Sequence, residues 1–277
     1  PAITWNAARH QRGMVPAMAW NTHLLTHDTG FRGYWVAEGK PLPMSPGGFD
    51  VQNLERRKVG ALTVSSNEIV RSDLLDVEKA LLADLLAACR EAADRALIDP
   101  ANGGEPGERP ASLTHPSSGG VVLTSSGATT SAIDNDLKAA AQALITAGSS
   151  LQGAQWVMHP ALALKMSLMR GSGGQLIYPG LHLGGGVLAG LPVLTTAGAP
   201  ANIISLVDPA QASYSEDQPL FVVSQEAMID VNSLPGEEKA VTPMSCYQTD
   251  STVLMVVLYL NFLARRTAAA SITGVTL

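Results

Sequence analysis

The sequence predicts an α+β chain, and three stretches carry that reading. Residues 34–70 read as two extended arms around a turn rich in Pro and Gly, residues 73–98 repeat apolar side chains at helical spacing, and residues 118–230 alternate helix with strand. The chain has 277 residues, of which 46% are hydrophobic, so it can bury a substantial core as one large domain or two interleaved ones.

Residues 1–33 carry scattered apolar residues, a short strand-like stretch at 15–20 and no sustained period, which predicts an extended N-terminal arm. The start lacks the apolar run of a secretory signal, and its first residue is Pro, consistent with processing or with numbering from a later point. In residues 34–70, Tyr34 to Ala37 form one arm and Phe49 to Val70 the other. Between them Gly39, Pro41, Pro43, Pro46, Gly47 and Gly48 exclude helix and force a turn. Phe49 and Val51 alternate properly, but Arg56, Arg57 and Lys58 interrupt the pattern before Val59, Ala61, Leu62 and Val64. A hairpin this long without a clean apolar face is poorly stable alone, so its expected support is another subunit.

Ser72 or Asp73 caps a helix that stops before Pro100. Leu74, Val77, Leu81, Leu85, Ala88 and Ala92 form its stripe, widened by Leu75, Leu82, Leu86, Cys89 and Ala93. Asp76, Lys79, Asp84, Arg90, Glu91 and Arg95 fill the opposite sector. Such a helix is roughly 39 Å long at 1.5 Å per residue, a spine for the rest. Residues 99–128 are a Pro- and Gly-rich break, read as a surface loop leading into a second subdomain. There an alanine-rich helix starts at Ser131 or Asp134 and closes at Gly148, and residues 155–158 form a strand. A second helix runs from Pro160 to Arg170, a glycine-rich loop follows over 171–186, and residues 191–195 and 203–207 form buried strands. Extended segments at 220–224, 227–231 and 251–267 follow, the last returning to pair with something early in the chain. The predicted division is an arm over 1–33, a hairpin loop over 34–70, one domain from 71–117 and 231–277, and another over 118–230.

Charged residues make up only 15% of the chain, well below the roughly 25% of ordinary soluble domains, which points to a surface largely covered by partners. A net charge of −6 argues against gripping nucleic acid as the main task, because phosphate binding needs a basic field. Cys89 and Cys246 lie far apart, outside any CxxC pair, and read as ordinary buried thiols. The longest apolar run, 253–260, is much shorter than the ~20 residues that span a bilayer.

No catalytic, cofactor or metal site is expected. His23 and His27 are four apart in a segment without helical period, and no HExxH accompanies them. The glycine clusters lack both GxGxxG after a strand and GxxxxGK[ST], and GxSxG is absent. The carboxylates of the long helix pair with Arg and Lys at helical spacing, as on a solvated face. Arg56-Arg57-Lys58 is the one basic triplet, a candidate patch for acidic residues of another subunit.

The order of these features carries a resemblance. Trp35-Val36-Ala37-Glu38-Gly39 with its Pro-rich turn precedes Val64-Ser65-Ser66-Asn67-Glu68, and the long helix ends in Ala93-Asp94-Arg95-Ala96-Leu97-Ile98. Trp156-Val157-Met158-His159-Pro160, then Gly173-Gly174-Gln175-Leu176-Ile177, Gly190-Leu191-Pro192-Val193 and finally Asn261-Phe262-Leu263-Ala264-Arg265-Arg266 continue the order over nearly the whole chain. Together they resemble the major capsid protein of tailed double-stranded-DNA phages, the HK-97-like fold. The resemblance implies an extended loop at 34–70, a spine helix in a peripheral domain and an axial domain at 118–230. It implies hexamers and pentamers of this chain closing into an icosahedral shell around DNA held without sequence specificity. A portal and scaffold or decoration proteins are implied as partners, the virion as the location, and host cytoplasm as the place of assembly.

On that reading Trp35, Glu38, Lys40, Arg56, Arg57 and Lys58 are subunit-interface residues. Some members cross-link their shells through a loop Lys with an Asn and a catalytic Glu. Lys40 falls near the loop position, but residues 253–260 hold no Glu, so no cross-linking is expected. The cleaved N-terminal scaffolding segment of many members has no counterpart in these residues. Two rivals are an encapsulin-type compartment shell, which would package enzyme rather than DNA, and an α/β enzyme using the glycine-rich 171–186 loop.

Overall fold

The computed structural model describes residues 18–27, 34–44, 49–70, 77–171, 173–230 and 243–276. Most of the expected N-terminal arm, the loop tip at Pro46, Gly47 and Gly48, and the start of the long helix from Ser72 to Asp76 lie outside them. In chain order come β1 (His23–His27), β2 (Phe49–Asn53), β3 (Arg57–Ser66), a single helical turn α1 (Asn67–Val70) and the long α2 (Val77–Ile98). Then follow β4 (Val121–Thr124), α3 (Thr130–Thr146), β5 (Gln155–Met158), α4 (Pro160–Ser167), β6 (Leu181–His182), β7 (Gly185–Leu188), β8 (Leu191–Thr195) and β9 (Ile204–Val207). The last are β10 (Ala212–Glu216), β11 (Leu220–Ser224), β12 (Met228–Asp230), β13 (Pro243–Ser245), β14 (Ser251–Ala264) and β15 (Ala269–Thr273). The chain divides into a larger unit of Pro1–Arg57, Ala93–Glu216 and Leu260–Leu277 and a smaller unit of Lys58–Ala92 and Asp217–Tyr259.

The larger unit is built on a mixed seven-stranded sheet in the order β4-β15-β9-β5-β8-β7-β6. Residues of β5, β8, β9 and β15 that share one face pack with α3 and α4. Trp156, Met158, Val193, Ile204, Leu206, Ala270 and Ile272 meet Ile133, Leu137, Ala140, Leu144, Leu162, Ala163 and Met166. The α3 residues fall at intervals of four, three and four, the period of one helix face. The Trp156 indole N–H is satisfied by the Leu188 carbonyl at 3.1 Å, so the largest side chain of this core brings no orphaned donor with it.

Local chemistry fixes both helices. The Thr129 hydroxyl accepts from the Ala132 N–H and starts α3 just ahead of the expected Ser131 or Asp134. Pro160 occupies the first turn of α4 as expected, and His159 Nδ1 accepts from the Ala161 N–H at 3.1 Å. This helix ends at Ser167 rather than Arg170, because Arg170 leaves it to bridge Leu176. The Asp136 carboxylate of α3 accepts from the Ser125 hydroxyl at 3.0 Å and from the Ser126 N–H and hydroxyl at 2.9 and 2.7 Å. Burial pushes this carboxyl up, and the three donors outweigh it to hold the group below its ordinary range. A depressed carboxylate stabilises the fold above its unfolded pKa and loses that contribution as pH falls through the folded value. Ser126→Ala is therefore expected to lower the melting temperature at pH 7 and to have a smaller effect once pH lies below the folded value, where only the Ala132 carbonyl bond of that hydroxyl and a neutral carboxyl partner are lost. Thermal melts of both proteins from neutral pH into acid check this.

Two expectations are corrected here. Residues 99–120 are only partly a surface loop: 105–109 are exposed as expected, but Asn102, Ser112, Leu113 and Thr114 are buried. Asn102 Nδ2 donates to the carbonyls of Ala96 and Pro110, while the hydroxyls of Ser112 and Thr114 donate to those of Leu97 and Ile98, each at 2.7 Å. The polar, Pro-rich composition that reads as solvent-facing thus satisfies the carbonyls that the end of α2 leaves open. Residues 269–273, expected with the C-terminal strands of the other domain, form β15 inside the seven-stranded sheet, parallel to β4 and antiparallel to β9. The sequence AASIT has weak strand propensity, yet small side chains suit the site: Ser271 and Ser205 are fully buried with their hydroxyls 3.1 Å apart.

In the smaller unit β11 pairs antiparallel with β14, Phe221 opposite Val256, and β3 also pairs with β14. Strand β14 is buried along almost its whole length, which explains its continuous β-branched and aromatic run. The α2 residues of this unit are less covered. Cys89 is buried and its thiol faces the Val256 carbonyl at 3.8 Å, with burial pushing its pKa up against the opposing Ala61 N–H. Val77, Leu81, Leu82, Leu85 and Leu86 are half-buried, and Ala88 and Ala92, expected in the buried stripe, are exposed. The apolar stripe of α2 is wider than these residues of one chain cover.

Candidate assembly surfaces

The loop at 34–70 is rooted differently from the expected hairpin. Residues Tyr34 to Ala37 belong to no strand, and Phe49–Asn53 pairs antiparallel with His23–His27, Leu25 opposite Val51. His23 and His27 therefore stand on a strand, and among the described residues no group of His, Cys, Asp and Glu is placed to hold a metal ion. Just past β2, Leu54 is wholly buried, exchanging backbone hydrogen bonds with Asn21 and Thr22. Asn261 Nδ2 donates to the Glu55 carbonyl at 2.6 Å, the Arg57 guanidinium meets the Glu55 carboxylate at 3.0 Å, and Arg56 lies 5.5 Å from the centroid of the Trp20 ring. Sequence reasoning missed this root because Trp20, Leu54 and Asn261 are far apart along the chain and no local pattern links them.

Between β1 and β2 the described residues 34–44 form a strap with little beneath it. A turn closes at the Lys40 N–H and the Ala37 carbonyl, 3.2 Å apart, with Gly39 at φ 77, the left-handed conformation that the third residue of a type II turn requires. Trp35 is fully exposed, Met44 is 89% and Leu42 79% exposed, and Glu38 and Lys40 are exposed beside them. Large apolar side chains this bare, concentrated on one short segment, mark a surface that binds another protein. Of the six expected interface residues, Trp35, Glu38 and Lys40 lie together on the strap. Arg56 and Arg57 sit at its root with contacts inside the chain, and Lys58 is exposed on β3.

Further apolar surface is bare in the smaller unit. Leu220, Phe221 and Val223 of β11 are about half exposed although the strand they pair with is buried, and Met228 and Tyr247 are more exposed still. Edge strands of this composition join other chains unless something covers them.

Comparison with known proteins gives this arrangement its context. The Phage capsid family matches residues 14–232. A "Capsid polyprotein" of Pseudomonas phage PAJU2 is 30% identical over 261 residues, covering 91% of this chain but 38% of that protein, so the chain spans about two fifths of its relative's length. Among solved structures, Mycobacterium phage Adephagia matches with a TM-score of 0.70 at 15% identity, covering 95% of this chain and 89% of that one. The capsid of a native GTA particle matches with a TM-score of 0.67 at 15% identity, covering 97% and 91%. With the family match extending across the strap, both strands at its root and nearly all of the seven-stranded sheet, the chain belongs to the phage capsid family and carries the HK-97-like capsid fold.

Proposed function

We propose that this chain is the major shell subunit of a virion. Copies associate into hexamers and pentamers that close into an icosahedral shell around double-stranded DNA, assembled in the host cytoplasm. The observation that carries this reading is the strap: an exposed segment bearing Trp35, Leu42 and Met44, in a member of the phage capsid family, is suited to lie against a second copy. The role is structural and not catalytic. DNA enclosed by a chain of net charge −6 is held without base-specific contacts, and a portal with scaffold or decoration proteins completes the particle. Negative-stain microscopy of the purified chain tests the reading: capsomers or closed particles are expected, and persistent monomers under assembly conditions would overturn it.

Two outcomes sharpen it. Shells should run as single subunits on a denaturing gel, since residues 253–260 offer no Glu to catalyse cross-linking from Lys40; a ladder of covalent multimers would contradict that. Changing Arg56, Arg57 and Lys58 together to Ser should weaken the shells. Because Arg56 and Arg57 also hold the strap root, the subunit itself should lose ~0.5–1 kcal/mol in a denaturation experiment. Shells of unchanged dissociation temperature would show that the basic triplet takes no part in assembly.

A further inference from the structure

Strand β3 ends at Ser66 and α1 begins at Asn67, so the chain turns a corner within one peptide. Three hydrogen bonds tie that corner to the turn opening β14. The Asn67 N–H donates to the Asp250 carbonyl at 2.9 Å, Asn67 Nδ2 donates to Asp250 Oδ1 at 2.6 Å, and Asn67 Oδ1 accepts from the Thr252 hydroxyl. Asn67 is 5% and Thr252 1% exposed. Asp250 adopts a left-handed backbone at φ 44, a conformation that is strained for a non-glycine residue.

This arrangement is directional. A carboxamide presents its donor to the Asp250 carboxylate and its acceptor to the Thr252 hydroxyl, a match that neither a carboxylate nor an apolar side chain reproduces. Burial alone does not call for it, because apolar groups of the same shape in place of the buried Asn67 and Thr252 would cost little, and Asp250 is exposed. What the polar arrangement adds, against the backbone strain at Asp250, is one defined geometry of the corner.

We propose that Asn67, Asp250 and Thr252 form a clasp that holds the strand-to-helix corner in one geometry while copies in hexamers and pentamers adjust elsewhere. The proposal rests on the shell reading. Copies in hexamers and pentamers meet different neighbours and adjust to them, so a corner that also varied would yield subunits that bind but do not close. These are positioning residues: they act through the shape of the β3–α1 corner.

The test uses a charge swap. Asn67→Asp places two carboxylates face to face and should cut the yield of closed particles at least tenfold while the subunit still unfolds cooperatively. Combining Asn67→Asp with Asp250→Asn restores one carboxamide and one carboxylate in reversed order, with an acceptor still facing Thr252, and should recover closed particles. Asp250→Ala, read the same way, stands in if Asn67→Asp does not fold. Closed particles at parental yield from Asn67→Asp would overturn the clasp, and so would a folded double variant no better than the single. If the parent chain itself forms no shells, the shell reading fails on its own. The clasp is then read by hydrogen exchange: protection of the Asn67 amide should be lost in Asn67→Asp and regained in the swap, and protection unchanged by Asn67→Asp overturns it.

Discussion

Replacing Trp35, Leu42 and Met44 together by Ser is expected to give a subunit that melts like the parent and forms no closed shells. The first half follows from exposure: Trp35 is fully exposed, and Leu42 and Met44 are nearly as bare, so folding gains almost nothing from them. The second half follows from what burial against another copy would contribute. A large apolar side chain fully removed from water contributes about 1.5–3 kcal/mol. Even partial burial of three such side chains adds several kcal/mol to each contact, and 1.4 kcal/mol is a factor of ten in association. A loss of at least a hundredfold per contact therefore follows, multiplied by every contact a shell must close. Sedimentation velocity and microscopy at matched concentrations read the outcome. Shells at parental yield would mean the strap is dispensable, and assembly would have to rest on surfaces such as Leu220, Phe221 and Val223.

The largest effect on the subunit itself is expected at Trp156. Its indole is 1% exposed in the core between the seven-stranded sheet and the two helices, and its N–H occupies the Leu188 carbonyl. Trp156→Ala leaves a cavity and an unpaired carbonyl, a loss of about 3–5 kcal/mol from a domain stability of order 5–15 kcal/mol. Trp156→Phe keeps most of the apolar volume, loses the donor and should cost about half as much. Urea denaturation of the three proteins checks the order. A loss under ~1 kcal/mol for the alanine variant would mean that the other side chains of this buried core, Met158, Met166 and Leu206 among them, close over the gap.

Much of the fold was legible because its signals are local. Gln155–Met158, Leu191–Thr195 and Ile204–Val207 announce themselves as apolar, β-branched runs, and Pro160 marks the first turn of α4 by the one property that makes Pro harmless there. The strap was legible for a similar reason, since Pro41, Pro43 and Gly39 exclude regular structure whatever surrounds them. The pairings depend on distant residues and were not legible. Tyr34 to Ala37 looks as much like a strand as HLLTH does, yet only His23–His27 lies opposite Phe49–Asn53. Arg56 and Arg57 read as free charge for a neighbour because nothing near them in sequence announces Trp20 above one guanidinium, and the proximity of Glu55 to the other is decided by backbone direction. The burial of Asn102 and of Ser112 to Thr114 was hidden for a third reason: polar side chains that saturate a helix end carry the same composition as a solvated loop.

The place of β15 bears on when the larger unit can form. Strand β4 pairs along one side with β15 alone, and the Thr273 hydroxyl reaches the Leu123 carbonyl across 150 positions of sequence. A nascent chain that has already made α3, α4 and six strands of this sheet thus lacks the strand that joins β4 to β9, and the edges of those two strands stay open. Contacts closed over so long a loop are slow to form. A chain with a bare strap and an unfinished sheet is at its most adhesive during that interval. The rate of this last strand insertion, more than the stability of the finished subunit, is then expected to govern how much of a newly made pool aggregates at high expression, and slowing synthesis or lowering temperature should shift that balance toward usable subunits.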